Sequence, residues 1–186
     1  GPAPTITPDE ITEEMLSKYQ CIYIEGYLLV NEPLVRSTME KAKKLGLKVA
    51  LDLSNFNIVN AFKGMLEDII PKYVDILFSN ESEAEAFTGQ KAAEAVHTLS
   101  ELVEVSLVTL GKEGALIGSH GQFYSVPAEG GKPVDTTGAG DNFAAGFLYG
   151  QSIGASLVQS ARIVVGPEIP YDKWEQIKLK VKGILA

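Results

Sequence analysis

Lys48-Val49-Ala50-Leu51-Asp52-Leu53 is a short, mostly apolar run of the kind that forms a buried strand. Residues 59–70 follow with apolar side chains at helical spacing, and Asp75-Ile76-Leu77-Phe78-Ser79 is the next strand-like run. Strands that lack polar alternation are buried on both faces. The strand–helix–strand order therefore predicts parallel strands with helices packed on both sides.

The same alternation continues in both directions along the chain. Further strands are predicted at residues 21–25 and 105–110, with a hairpin at 115–118 and 123–126. Further helices are predicted at residues 8–18, 32–45, 81–87, 92–102, 139–151, 155–163 and 171–182. The predicted fold is α/β, a mainly parallel sheet in a three-layer αβα arrangement, and residues 1–186 are predicted to form a single domain.

Composition excludes several classes of protein. The chain has 186 residues, 45% hydrophobic residues and a net charge of −8, which indicates a globular protein rather than a disordered one. An acidic protein lacks the basic face that nucleic acid or an anionic membrane requires, so we expect neither partner. Cys21 is the single cysteine, and no run of 18 apolar residues or signal peptide is present. These features predict a cytoplasmic protein.

Small or polar residues stand at the ends of the predicted strands. Gly26, Asp52, Asn80 and Gly111 each follow or close a strand. In open parallel sheets, ligands bind beyond the carboxyl ends of the strands. We therefore expect these four positions to lie around one ligand site.

Gly138-Ala139-Gly140-Asp141 begins a predicted helix. Small residues let the free N–H groups of a first helical turn approach an anion, and the helix dipole favours negative charge there. Asp141 could accept a proton from a substrate hydroxyl. A plain helix start with Asp141 as a capping group is the alternative. Asp135-Thr136-Thr137 adds a carboxylate and two hydroxyls in front of the helix, which favours a transferring phosphoryl group.

The full stretch from Asp135 to Phe147 resembles the C-terminal signature of the ribokinase-like (PfkB) carbohydrate and nucleoside kinases. The resemblance implies an ATP-dependent phosphotransferase of ribokinase-like fold that uses Mg²⁺. Asp141 would be the catalytic base. The amides of Gly138, Ala139, Gly140 and Asp141 would form the anion hole. The chain would be the nucleotide-binding and catalytic domain of such an enzyme.

Two further segments resemble motifs of this family. Asn80-Glu81-Ser82-Glu83 is similar to its Asn-x-x-Glu motif, which implies Mg²⁺ and phosphate contacts for Asn80 and Glu83. Read alone, the segment is a helix cap. Residues 109–114 resemble the nucleotide loop, or else a glycine-rich turn. The residues that the resemblance assigns to the nucleotide are Asn80, Thr109, Gly111, Lys112, Gly114, Asp135 and Thr137. Asp52 is a further phosphate-facing candidate, with Asn55 and Asn57 as competitors.

The acceptor substrate is only partly indicated. Segments 23–29 and 74–84 are more similar to adenosine kinases than to ribokinases, which favours a small-molecule nucleoside over a sugar. The resemblance covers only the last two-thirds of a family member and lacks its N-terminal substrate part and lid. We therefore expect a partial family domain, with a homodimer formed through the absent lid, and a loop missing near residue 163. The alternatives are a ribokinase- or fructokinase-like sugar kinase and a non-catalytic nucleotide-binding relative.

Overall fold

The computed structural model describes residues 5–128 and 138–165. The strands are β1 Cys21–Glu25, β2 Lys48–Asp52, β3 Ile76–Asn80, β4 Val105–Thr109, β5 Ala115–Ser119 and β6 Gln122–Val126. The helices are α1 Glu13–Leu16, α2 Glu32–Lys44, α3 Phe56–Ala61, α4 Lys63–Tyr73, α5 Glu81–Thr88, α6 Ala92–Ser100, α7 Ala139–Ser152 and α8 Leu157–Val165. The helix expected at 171–182 lies outside the described residues.

The strands form one six-stranded sheet in the order β1-β2-β3-β4-β5-β6. The first four strands pair in parallel, and β5 and β6 add an antiparallel hairpin at the β4 edge. His120 and Gly121 close the hairpin with φ of +49° and +73°, as a primed two-residue turn requires. The predicted α/β fold with a mainly parallel sheet is confirmed.

Alternate side chains of each strand face two separate apolar cores. Leu51 and Leu77 belong to the core shared with α1–α6, whereas Ala50 and Phe78 belong to the core shared with α7 and α8. Both faces of the sheet are therefore covered, as the continuous apolar strands predicted. The consequence for a ligand site is that the strand ends form the open edge of the sheet.

The single helix predicted at residues 8–18 is wrong. Pro8–Glu10 forms a short 3-10 helix, Ile11 is extended, and α1 begins only after Thr12. The Thr12 hydroxyl accepts the Met15 N–H and so starts a new helix. The Lys41 ammonium donates to the carbonyls of Pro8 and Ile11 at 2.6 and 2.8 Å. These hydrogen bonds stabilise the interruption between the two helices.

The single helix predicted at 59–70 is also wrong. Phe62, with φ −115° and ψ 20°, separates α3 from α4. Backbone hydrogen bonds continue through the bend, because the Phe62 N–H donates to Ile58 and its carbonyl accepts from Leu66. The side chain of Phe62 packs on the core at this point. Helix α4 also runs past Pro71, where the prediction ended it.

No helix among residues 5–128 and 138–165 combines the length and apolar character that crossing a membrane requires.

Candidate active site

A pocket of about 500 Å³ opens at the carboxyl edge of the parallel strands. The last residues of the first four strands supply its rim, and the N-termini of α5 and α7 close it. The lining residues are Glu25, Tyr27, Asp52, Ser54, Phe78, Ser79, Asn80, Glu81, Ser82, Glu83, Thr109, Gly111, Gly138, Ala139, Gly140, Asp141 and Phe143. Of the four positions predicted to surround one ligand site, Asp52, Asn80 and Gly111 line this pocket, whereas Gly26 does not.

The N-terminus of α7 is open toward the pocket. Gly138 is the N-cap with φ +73°, and no described side chain caps this helix end. A β-carbon at Gly140 would meet no atom within 4 Å, so the backbone here is accessible. Asp141 is exposed in the first turn and lines the pocket. First-turn amides with no partner in the helix suit an anion, and a carboxylate beside them suits proton removal.

The N-terminus of α5 is closed by a capping box. The Asn80 side-chain oxygen accepts the Glu83 N–H at 3.0 Å, and the Glu83 carboxylate accepts the Asn80 N–H at 2.8 Å and its side-chain amide at 2.6 Å. Glu83 is only 4% exposed. Burial raises its pKa to about 7, although the hydrogen bonds from Asn80 lower the pKa. A contact between Glu83 and Mg²⁺ would therefore have to use the remaining lone pairs of its oxygens or bridging water.

The charge of the pocket bears on which ligand it accepts. Five carboxylates line it, from Glu25, Asp52, Glu81, Glu83 and Asp141, and no lysine or arginine is among the described lining residues. A polyphosphate can enter such a site only with cations that offset its charge. The oxygen-rich donor set fits a hydrated Mg²⁺. Within the described parts of the chain, no three acidic, His or Cys side chains group closely enough to hold a metal by themselves.

Asp52 is held firmly at the end of β2. Its two carboxylate oxygens accept the Ser54 N–H at 2.7 Å and the Tyr23 hydroxyl at 3.0 Å. Ser54 has φ +63°, and its hydroxyl accepts the Gly26 N–H at 2.8 Å. A β-carbon at Gly26 would lie 2.6 Å from the Leu53 carbonyl oxygen, so this junction of β1 and β2 requires glycine. Burial raises the pKa of Asp52.

Four aromatic rings pack beneath the pocket. Phe78 lies edge to face with Tyr23, with ring centroids 6.2 Å apart. The same ring contacts Phe143 and Phe147 of α7 at 6.3 and 5.7 Å, again at near-perpendicular angles. Such pairs contribute roughly 0.5–1.5 kcal/mol beyond the area that they bury. The ring of Phe78 thus joins α7, which carries Asp141, to Tyr23 of β1.

The nucleotide loop predicted at residues 109–114 is only partly at the pocket. Thr109 and Gly111 line it, whereas Lys112 and Gly114 do not. Gly114 has φ +105°, and a β-carbon there would lie 1.9 Å from the Val126 carbonyl oxygen. Its glycine is therefore explained by the close approach of the β6 end. Lys112 is exposed in a short 3-10 turn.

Asp135 and Thr137 lie outside the described residues. Of the three candidates at and after the end of β2, Asp52 lines the pocket, whereas Asn55 caps α3 by accepting the Asn57 N–H at 2.8 Å. A contact between Asp52 and the phosphates stays a prediction.

The sequence reasoning missed Glu25, Tyr27 and Ser54 as lining residues and Tyr23 as the partner of Asp52. Glu25 could have been found, because it is the last residue of the first strand. Tyr23 could not, since its contact with Asp52 crosses 29 residues of sequence. Ser54 gave no signal either, because a serine with positive φ is uncommon.

Residues 3–166 match the model of the pfkB family carbohydrate kinase. Among curated proteins, the chain is 30% identical to the adenosine kinase of Saccharomyces cerevisiae over 93% of this chain and 58% of that one. It is 27% identical to the ribokinase of Staphylococcus aureus over 77% of this chain and 47% of that one. The chain therefore spans about half the length of the relatives that it matches.

A solved structure is similar to this chain over a comparable share of its length. The adenosine kinase from Sinorhizobium meliloti superposes with a TM-score of 0.82 at 28% identity, over 87% of this chain and 51% of that one. The similarity in fold therefore extends over most of this chain and about half of that one.

Proposed function

Because the chain belongs to the pfkB family of carbohydrate kinases, we propose that it carries the catalytic part of an ATP-dependent phosphotransferase with an alcohol acceptor. The observation that carries the proposal is the open N-terminus of α7, where uncapped first-turn amides and the Asp141 carboxylate face one pocket. An anion hole beside a base is the arrangement that phosphoryl transfer needs.

The proposed reaction uses the chain's own groups in two roles. The acceptor hydroxyl attacks the γ-phosphorus of ATP, its proton passes to Asp141, and the bond to the β-phosphate oxygen breaks to release ADP. The amides of Gly138, Ala139, Gly140 and Asp141 offset the negative charge that develops on the transferring group. Thr109 and Gly111, at the end of β4, lie on the same pocket and would contact the phosphates.

Mg²⁺ would supply positive charge that offsets the charge of the phosphates, a charge that no described lining side chain provides. Asn80, Glu83 and Asp52 are the residues whose oxygens would hold its bound waters. Asn80 and Glu83 are also engaged with each other at 2.6–3.0 Å, so their share would be through water.

We propose a nucleoside as the acceptor, supported by the similarity to adenosine kinases. A sugar is the second candidate, supported by the similarity to ribokinase and by the description of the family. Coupled assays with a panel of nucleosides and sugars would separate the two. Turnover of adenosine with no turnover of ribose or fructose is the expected result, and the reverse would favour the sugar kinase.

The test of the chemistry is Asp141→Asn in the protein that carries this sequence. We expect ATP binding to persist and kcat to fall by about 10²–10⁴-fold, because the amide cannot take the hydroxyl proton. Asp9→Asn is the matched control, since Asp9 is an exposed carboxylate in the first turn of another helix, away from the pocket. Unchanged kcat in Asp141→Asn would rule out this mechanism. ATP binding without turnover in the wild type would indicate the non-catalytic alternative.

A further inference from the structure

The Asp52 carboxylate is fixed on both oxygens by donors from two different elements. The Ser54 N–H reaches one oxygen at 2.7 Å and the Tyr23 hydroxyl reaches the other at 3.0 Å. An aspartate side chain otherwise rotates easily about its last torsion. Two donors on two oxygens fix its plane and still leave lone pairs free for a ligand. Because Asp52 lines the pocket, those free positions are available to what binds there.

Ser54 is strained in a way that serves this arrangement. A non-glycine residue at φ +63° has a strained backbone, and such strain is concentrated at functional sites. The conformation places the Ser54 N–H on Asp52 and the Ser54 hydroxyl under the Gly26 N–H. The strained turn thus joins the ends of β1 and β2 around one carboxylate.

The direction of the hydrogen bond between Tyr23 and Asp52 is fixed. An ionised carboxylate can only accept, so the Tyr23 hydroxyl is the donor at 3.0 Å. The ring is held by Phe78, which also packs on Phe143 and Phe147 of α7. A continuous set of contacts therefore runs from the helix that carries Asp141 to the Asp52 carboxylate.

We propose that Tyr23 is a positioning residue for phosphoryl transfer, because its hydroxyl orients Asp52 toward the hydrated divalent cation that accompanies the nucleotide, and its ring sets that carboxylate relative to α7. This inference rests on the proposed function. Tyr23 itself does not line the pocket, so it acts only through Asp52. The partner behind a metal-facing carboxylate typically changes metal affinity or activity by about 10–100-fold when it is removed.

The test is Tyr23→Phe, which keeps the ring packing and removes only the hydroxyl. With Mn²⁺ as the probe and a non-hydrolysable ATP analogue present, we expect the half-saturating Mn²⁺ concentration to rise by about 10-fold and kcat to fall by a similar factor. Tyr73→Phe is the matched control, because its hydroxyl also donates to a carboxylate, that of Glu40 at 3.1 Å, on the exposed surface. The control should leave both quantities unchanged.

A double-mutant cycle with Asp52→Asn separates positioning from general damage. If Tyr23 acts through Asp52, the Tyr23→Phe change should have little further effect on Mn²⁺ binding once Asp52 is an amide. Full additivity of the two losses, or wild-type Mn²⁺ binding in Tyr23→Phe, would overturn the inference. Should Tyr23→Phe fail to fold, Asp52→Asn is the test. Wild-type Mn²⁺ binding in that variant would overturn the inference, because Asp52 would then have no contact with the cation for Tyr23 to orient.

The proposed function and this inference fail in distinguishable ways. Unchanged kcat in Asp141→Asn would remove the proposed chemistry whatever Tyr23 does. If Asp141→Asn loses turnover while Tyr23→Phe keeps wild-type kcat and Mn²⁺ binding, the proposed chemistry stands and only the positioning role of Tyr23 is removed.

Discussion

Two helix N-termini meet at the same pocket, and they differ in whether side chains cap their backbone N–H groups. At α5, Asn80 and Glu83 cap each other, so the N–H groups of these two residues are already used. At α7, Gly138 has no side chain to offer, and no described side chain takes its place. Both helices carry a carboxylate in the first turn, so charge alone does not distinguish them. The difference supports our proposal that the anion binds at the N-terminus of α7.

The largest expected effect comes from placing a charge on the open end. Gly138→Asp puts a carboxylate where the transferring phosphoryl group is proposed to bind, and aspartate tolerates positive φ better than most residues. We expect kcat to fall by about 10²–10³-fold, the loss typical when anion-hole stabilisation is removed. Steady-state kinetics would measure it. Gly46→Asp is the control, since Gly46 has φ +76° and no atom near its β-carbon position. Equal losses in the two variants would contradict the assignment.

Removing the side-chain cap of α5 should lower the stability of the fold. Asn80→Ala removes the acceptor for the Glu83 N–H and a donor to the buried Glu83 carboxylate. The loss of a helix cap lowers the free energy of unfolding by about 0.5–2 kcal/mol, and urea unfolding would measure this. Asn60→Ala, an exposed change within α3, should remain within about 0.5 kcal/mol of wild type. Equal values for both variants would show that the cap does not stabilise the fold.

A third expected effect is a pH dependence of stability at the closed end. Burial raises the pKa of Glu83 from its ordinary 4.5 to about 7, so the folded state holds this proton more tightly than the unfolded state. The stabilisation is full below pH 4.5 and is lost as the pH rises through about 7. The melting temperature should therefore decline across this window. Glu83→Gln, which cannot titrate, should show a flatter profile, and an unchanged slope would exclude Glu83 as the cause.

The contrast between the two helix ends was partly predictable from sequence. Asn80 followed by Glu83 is a capping-box pattern, and Gly138 before a helix signals an uncapped start. Strand β1 was predicted with the bounds that the structure has. These features depend on neighbours within a few residues, which sequence patterns describe well.

Contacts that cross long stretches of chain were not predictable. The break at Ile11 depends on Lys41, and the orientation of Asp52 depends on Tyr23, 29 residues away. The bend at Phe62 depends on the core that the whole set of helices builds. Periodicity and capping rules contain no information about which side chain, distant in sequence, contacts a given residue. The site prediction therefore found the strand ends and the helix start but missed the residues that hold them.

The in-order sheet has a consequence for how the protein folds. The chain reaches the pocket at positions 25, 52, 80 and 109, once for each parallel strand, and then again at α7, which covers the other face of the sheet. Neighbouring strands can pair one after another as the chain lengthens. A ligand that touches both the strand ends and α7 binds only when every unit is in place. Such a ligand stabilises the fully assembled state by mass action, so a nucleotide bound in this way would increase the cooperativity of folding.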